Sequence, residues 1–191
     1  MTWKLQMRDH GPWKILKSEH MYSDPWIQLF RDQVQRPDGK AGTYATVHLK
    51  AGVCVVAMDA VDTLHLTKEF HYAVGRVTIE GVSGGIECDE SPAIAAAREL
   101  AEELGITAGC WTRLGTVDPF TAAVLSPVEL YLAEDLTFNE TNPEGTELIE
   151  HVTMRLDEAV QAVLDGVITH APTCIVILRI ALQKQLKLSS V

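Results

Sequence analysis

No apolar run in this 191-residue sequence is long enough to span a bilayer, since the best, Val53–Met58 and Cys174–Leu182, are short and Arg179 interrupts the second. The N-terminus, with Lys4, Arg8 and Asp9 early on, lacks the apolar stretch of a signal peptide, and the expected location is the cytoplasm. Cysteine is scarce: Cys54, Cys88, Cys110 and Cys174 are widely scattered, which fits neither a zinc knuckle nor the disulfide framework of a small secreted domain, so reduced, buried thiols are expected. Positive charge is short as well. Sixteen Lys and Arg against 26 Asp and Glu leave a formal net charge of −10, which argues against nucleic acid as partner, because backbone binding needs concentrated cations to displace counterions. A phosphate-bearing substrate would then need a metal ion to screen it.

What is present is a globular balance of 47% apolar and 22% charged residues without repeats, enough for one domain carrying a small N-terminal extension. From Trp13 to Leu49 strands and turns are expected, with Ile27 and Leu29 alternating with polar residues and Pro37-Asp38-Gly39 as a turn before Thr43–Leu49. Val53–Met58, buried on both faces, and Leu64–Phe70 follow as a hairpin around Asp59–Thr63. Trp111–Val117, Val128–Ala133 and Ile149–Arg155 read as strands, with Asp157 capping a short helix through Leu164. Cys174–Ile180 is β-branched enough for a strand, but Pro172 at a start position and the tail Gln183-Lys184-Gln185 favour a C-terminal helix. The class is α+β.

The clearest helix runs from Ser91, an N-cap residue followed by Pro92, to Leu104, with Gly105 closing it. Ala93, Ala97, Leu100 and Leu104 are expected to face the core, leaving Glu99, Glu102 and Glu103 converging on another face. Like charges at such spacing cost roughly 0.2–0.5 kcal/mol per pair, and anions near a helix C-terminus also oppose its dipole. A solvated acidic face is the plain explanation. A hard cation such as Mg²⁺ reverses the penalty, because it takes carboxylate oxygens and bridges phosphate oxygens.

Read with its approach, the segment is Gly84, five residues, Glu90, seven residues, Arg98-Glu99-Leu100, one residue, Glu102-Glu103, one residue, Gly105-Ile106. Seven fixed and two aliphatic positions at set spacing arise by chance on the order of once in 10⁷ chains of this length. The segment resembles the Nudix box at every defining position. The resemblance implies a Nudix fold, a mixed β-sheet sandwiched between helices with an N-terminal antiparallel sheet, and assigns roles. Gly84 shapes the turn, Glu90 and Arg98 brace loop against helix, and Glu99, Glu102 and Glu103 are metal ligands, with the main-chain carbonyl of Ser83 as a further ligand.

Beyond the box, from about Trp13 to Leu182, the chain resembles the branch that cleaves ADP-ribose and other nucleoside diphosphate sugars. Lys68-Glu69-Phe70-His71-Tyr72-Ala73-Val74-Gly75-Arg76 with Glu80, and Gly166-Val167-Ile168 with Ala171-Pro172-Thr173, carry that likeness. His71 stands where many members have arginine, Val82 replaces a frequent proline, and Asp118-Pro119-Phe120 replaces a small residue, proline and glycine. The resemblance implies a base-binding and dimerising extension over residues 1–50, a hydrolase domain over 51–191, and a homodimer. It further implies substrate contacts from Trp26, His71, Gly85 and Pro119; for Trp26 the plain alternative is a core or interface residue, and for His71 an ordinary strand histidine.

The expected reaction is Mg²⁺-dependent hydrolysis, with Mn²⁺ an acceptable substitute, of the pyrophosphate bond of ADP-ribose or a related nucleoside diphosphate sugar, giving a nucleoside monophosphate and a sugar phosphate. General-base duty is expected in the acidic loop Asn139–Glu150, from Glu147 ahead of Glu144 and Glu150, with Glu147 also a candidate last ligand and Glu103 the second catalytic candidate. Hydrolysis of GDP-mannose or another nucleoside diphosphate derivative, and a catalytically silent nucleotide-sugar sensor, are the alternatives.

Overall fold

The computed structural model describes residues 7–140 and 148–188. Along the chain run β1 (Arg8–His10), β2 (Trp13–Ser23), β3 (Ile27–Gln35), β4 (Ala41–Leu49), β5 (Gly52–Met58), β6 (Thr63–His71), β7 (Arg76–Glu80), β8 (Val82–Gly85), α1 (Pro92–Leu104), β9 (Ile106–Val117), β10 (Val124–Leu125), β11 (Val128–Phe138), β12 (Glu150–Arg155), α2 (Leu156–Leu164) and α3 (Ala171–Leu188). No helix among the described residues is long and apolar enough to cross a membrane.

Two compact units form. One takes the residues up to Lys50 together with Phe120–Ser126. Its sheet has the order β1-β2-β3-β4-β10, antiparallel until β10 adds parallel to β4. The expected turn joins β3 to β4: Gly39, at φ 81°, donates to the Arg36 carbonyl at 2.9 Å, a left-handed position that favours glycine. Ile15 and Val34 are buried, while Met21, Tyr22, Trp26 and Leu49 stay exposed.

The other unit carries a seven-stranded mixed sheet with β12-β6-β5-β11-β9 as its path, β7 paired to β6 and β8 to β5. The middle strand explains the layering. Alternation sends Cys54, Val56 and Met58 into the core shared with α2 and α3, and Val53, Val55 and Ala57 into the core shared with α1. All six are at most 2% exposed, which is why the run reads as continuously apolar. β8 crosses close to β5, and a Cβ on Gly81, just before it, would lie 2.7 Å from the Val55 carbonyl oxygen.

Cys174–Ile180 is helical, inside α3, with Val176, Ile177 and Ile180 buried against the sheet. Tertiary burial outweighs the modest helix propensity of its β-branched residues. α2 begins differently from the sequence reading: Arg155, not Asp157, is the N-cap, and the Glu158 carboxylate accepts the Arg155 N–H at 3.1 Å. The buried Leu156 draws the start of the helix into the core, leaving Asp157 in the first turn.

Candidate active site

α1 starts and stops where the sequence places it. Ser91 Oγ accepts the Ile94 N–H at 3.3 Å, Pro92 opens the helix, and Gly105 at φ 63° closes it by donating to the Ala101 carbonyl. Its orientation differs from expectation. Ala93 and Ala97 are exposed, and the buried residues are Ala95, Ala96, Leu100 and Leu104. At about 100° per residue, the buried arc centres roughly 50° from the expected stripe. Glu99 and Glu103 therefore fall within the inward arc rather than on a separate face. Small residues permit this, because alanines and the glycines of β8 leave room for carboxylates where larger side chains would not.

Glu99 uses that room directly. A Cβ on Gly84 would lie 1.9 Å from the Glu99 carboxyl carbon, so glycine is required here for close approach. Gly84 sits inside β8 rather than shaping a turn, opposite Val53 in the ladder. The Glu99 side chain is 14% exposed and that of Glu102 38%, so Glu99 is the more sheltered of the two. Glu103 acts electrostatically on buried Cys54 of β5, whose thiol burial pushes up to about 11, with Glu80 and Glu103 adding to the shift.

Arg98 organises the approach. Its Nε and Nη2 donate to Glu90 at 2.9 and 3.0 Å, Nη2 also donates to the Gly85 carbonyl at 3.0 Å, and Nη1 meets Glu99 at 2.9 Å and Glu102 at 3.0 Å. Glu90 in turn accepts the Glu87 N–H at 3.1 Å. The brace between loop and helix is present, and the guanidinium is held well above its ordinary pKa by the Glu90 bonds first, then by Glu99 and Glu102. Among the described residues no three His, Cys, Asp or Glu side chains are already gathered as a metal cage. The donor set nonetheless fits a hard divalent cation: carboxylate oxygens on one helix, one of them in a cradle that any Cβ would fill.

Ser83 lies opposite Cys54 on β8, its hydroxyl donating to the Gly81 carbonyl at 2.9 Å. His71, at the end of β6, meets Glu80 with Nε2 at 3.2 Å, and the other Glu80 oxygen lies 3.1 Å from His170 Nδ1. Pro119 is half-buried in the bend after β9. Glu144 and Glu147 lie outside the described residues. Glu150 is described, and its carboxylate accepts from Lys68 Nζ at 2.8 Å.

In the unit of the N-terminal sheet, Trp26 is 61% exposed, which removes the core reading. Asp24 Oδ1 accepts the N–H groups of Trp26 and Ile27, each at 2.8 Å, and those bonds lower the Asp24 pKa. Lys50 Nζ lies 5.4 Å from the Trp26 ring centre. The indole is thus presented by a fixed turn. Sequence reasoning passed over His170 and Thr173 as individual residues; their only signal was the segment in which Thr173 follows Pro172.

The comparisons with known proteins identify the family and the fold. Residues 13–47 match the family model described as the nucleoside diphosphate sugar hydrolase N-terminal domain, and residues 48–173 match the NUDIX domain. The chain is 29% identical over 182 residues to an ADP-ribose pyrophosphatase of Bacillus subtilis (strain 168), covering 91% of this chain and 95% of that one. It is 30% identical over 169 residues to an ADP-ribose pyrophosphatase of Mycobacterium tuberculosis (strain ATCC 25618 / H37Rv), covering 86% and 81%. A crystal structure of an ADP compounds hydrolase superposes with a TM-score of 0.77 at 21% identity, covering 91% of this chain and 93% of that one, which establishes the shared fold. With the box residues running from β8 through the loop and α1 to the start of β9, and a family model matched over 48–173, the chain belongs to the Nudix family and is a Nudix pyrophosphohydrolase.

Proposed function

We propose that this enzyme hydrolyses the pyrophosphate bond of ADP-ribose, or of a closely related nucleoside diphosphate sugar, giving AMP and ribose 5-phosphate from ADP-ribose. The observation that carries the reading is the packing of the Glu99 carboxylate directly over Gly84 of β8, an arrangement costly for a merely solvated acidic face. The names of the two bacterial relatives support the substrate class.

Nudix hydrolases generally need a divalent metal. In this reading the metal is Mg²⁺, with Mn²⁺ able to replace it, and Glu99, Glu102, Glu103 and the Ser83 carbonyl would hold it. When bound, it supplies charge neutralisation for the diphosphate and acidifies water. The chain's own residues do the rest. Arg98 and Glu90 keep the loop registered on α1, Trp26 stacks on the base, and His71, Gly85 and Pro119 contact the sugar and phosphates. Glu147 takes the proton from the attacking water, with Glu144 as the alternate, and can complete the metal ligands.

The exposed apolar residues of the N-terminal sheet support a homodimer built on that sheet. Product analysis with Mg²⁺ across ADP-ribose, GDP-mannose, UDP-glucose, NADH, diadenosine polyphosphates and nucleoside triphosphates tests the function. AMP and ribose 5-phosphate formed fastest from ADP-ribose is the expected outcome. Preferred turnover of GDP-mannose would move the substrate, and tight binding without turnover of any of them would make the protein a sensor.

A further inference from the structure

Behind the acidic helix lies a second polar cluster. Glu80 closes β7, and its carboxylate gathers Thr78 Oγ1 at 2.6 Å, His71 Nε2 at 3.2 Å and His170 Nδ1 at 3.1 Å. An ionised carboxylate only accepts, so the facing nitrogens of both imidazoles carry hydrogen. His170 Nδ1 also lies 2.8 Å from Thr173 Oγ1, and that oxygen accepts the buried Gly81 N–H at 2.8 Å. Thr173 has no solvent exposure, and Cys54 Sγ lies 3.7 Å from its hydroxyl.

The chain of contacts continues toward the helix. Gly81 is wedged against the Val55 carbonyl, its own carbonyl accepts from Ser83 Oγ, and Gly84, three residues on, bears directly on the Glu99 carboxylate. Thus the first turn of α3 fixes the corner from which β8 departs, and β8 is the floor on which Glu99 rests.

We propose that Thr173 and His170 are positioning residues for the acidic-helix site: from the first turn of α3 and the residue just before it they lock the Glu80-Gly81 corner, which sets the height of the Ser83–Gly85 strand beneath Glu99. The inference rests on the reading of that helix as the metal-holding face. Thr173→Val preserves shape but deletes the acceptor of a buried N–H, so the corner relaxes while the box residues remain intact. His170→Ala removes the tie to Glu80, whereas His170→Asn keeps an N–H in the place of Nδ1.

The test combines three measurements on the full chain: Mn²⁺ affinity by calorimetry without substrate, amide hydrogen exchange at Gly81 and Ser83, and turnover as a function of Mg²⁺ concentration. For Thr173→Val and His170→Ala the expected results are roughly tenfold weaker Mn²⁺ binding, as for loss of an outer-shell support, and faster exchange at Gly81. Turnover should shift to higher Mg²⁺ while recovering at saturation, and Thr173→Ser and His170→Asn should restore wild-type behaviour. A folded Thr173→Val protein with accelerated exchange but unaltered Mn²⁺ affinity overturns the positioning role. Wild type that binds no Mn²⁺ overturns the metal-face reading itself, and this inference with it.

Discussion

Glu99 lies so close over Gly84 that a single added carbon at residue 84 would sit 1.9 Å from its carboxyl carbon. Gly84 is extended backbone, not left-handed, so alanine is tolerated by the main-chain conformation and meets the Glu99 carboxylate first. Gly84→Ala is therefore expected to fold and to lose metal affinity and turnover roughly 10- to 100-fold by displacing one ligand. Calorimetric Mn²⁺ titration beside a thermal melt checks this; unchanged affinity would detach Glu99 from the metal.

Glu103→Gln removes one charge from a crowded face. Without metal, its melting temperature should equal or slightly exceed that of wild type, since like-charge repulsion is relieved. Turnover at saturating Mg²⁺ should fall by about a hundredfold or more, the scale of losing one group that stabilises transition-state charge. Near-native turnover by the folded variant would place the metal elsewhere.

The acidic loop offers three candidates for general base, and the structure separates one from the others. Glu150 has its carboxylate engaged by Lys68 on the neighbouring strand, so Glu150→Gln should leave the turnover number within about twofold, the scale of an exposed ion pair. Glu147→Gln should lower the turnover number with little change in substrate affinity, and raising pH should partly restore the rate through hydroxide. Assays from pH 6 to pH 10 discriminate; a fast Glu147→Gln beside a crippled Glu144→Gln transfers the role.

Trp26→Ala tests base stacking. An exposed indole on a fixed Asp24 turn contributes little to the fold, so the variant should keep its melting temperature. Stacking worth roughly 0.5–1.5 kcal/mol should raise the Michaelis constant about two- to tenfold with the turnover number nearly constant. Oligomeric state by light scattering must accompany the kinetics, because an altered dimer would mimic the effect.

The pH dependence of stability should show His65 and His151. His65 Nδ1 lies 3.0 Å from His151 Nε2, and buried His65 Nε2 has no hydrogen-bond partner among the described residues. Burial, then proximity to His151, lowers the His65 pKa from 6.5 despite Asp59, and burial lowers that of His151. The unfolded chain thus binds protons more readily than the folded one. Their contribution to stability is complete above pH 6.5 and is lost as pH falls from 6.5 through the depressed folded values. Urea unfolding at several pH values should show that decline, and His65→Gln should flatten it.

The places of the longer strands along the chain and the ends of α1 were legible because local chemistry sets them: the apolar run of β5, the Ser91-Pro92 start and the Gly105 stop. The rotation of α1 was not. Sequence spacing reports which residues share a stripe, but a helix with alanines on several sides has no single apolar stripe, and the glycines of β8 decided which side packed. The clustering of Glu80, His71 and His170 was equally hidden, since it joins two strands and the start of α3 across about a hundred residues of sequence.

The parallel pairing of β10 with β4 bears on how the protein can be divided. Val124 and Leu125 lie beside Val47 and His48, and the Val47 N–H donates to the Ala123 carbonyl at 2.9 Å, so the N-terminal sheet takes its last strand from deep within the chain. The sheet is consequently not a detachable module. A fragment beginning at Ala51 would retain β10 with its neighbour deleted, presenting unpaired backbone and the exposed Phe120 and Leu125 as a sticky edge. A fragment ending at Lys50 would lack its closing strand. Genetic shuffling or truncation at residue 50 should therefore yield aggregating halves, whereas exchange of the sheet between relatives must carry both segments together.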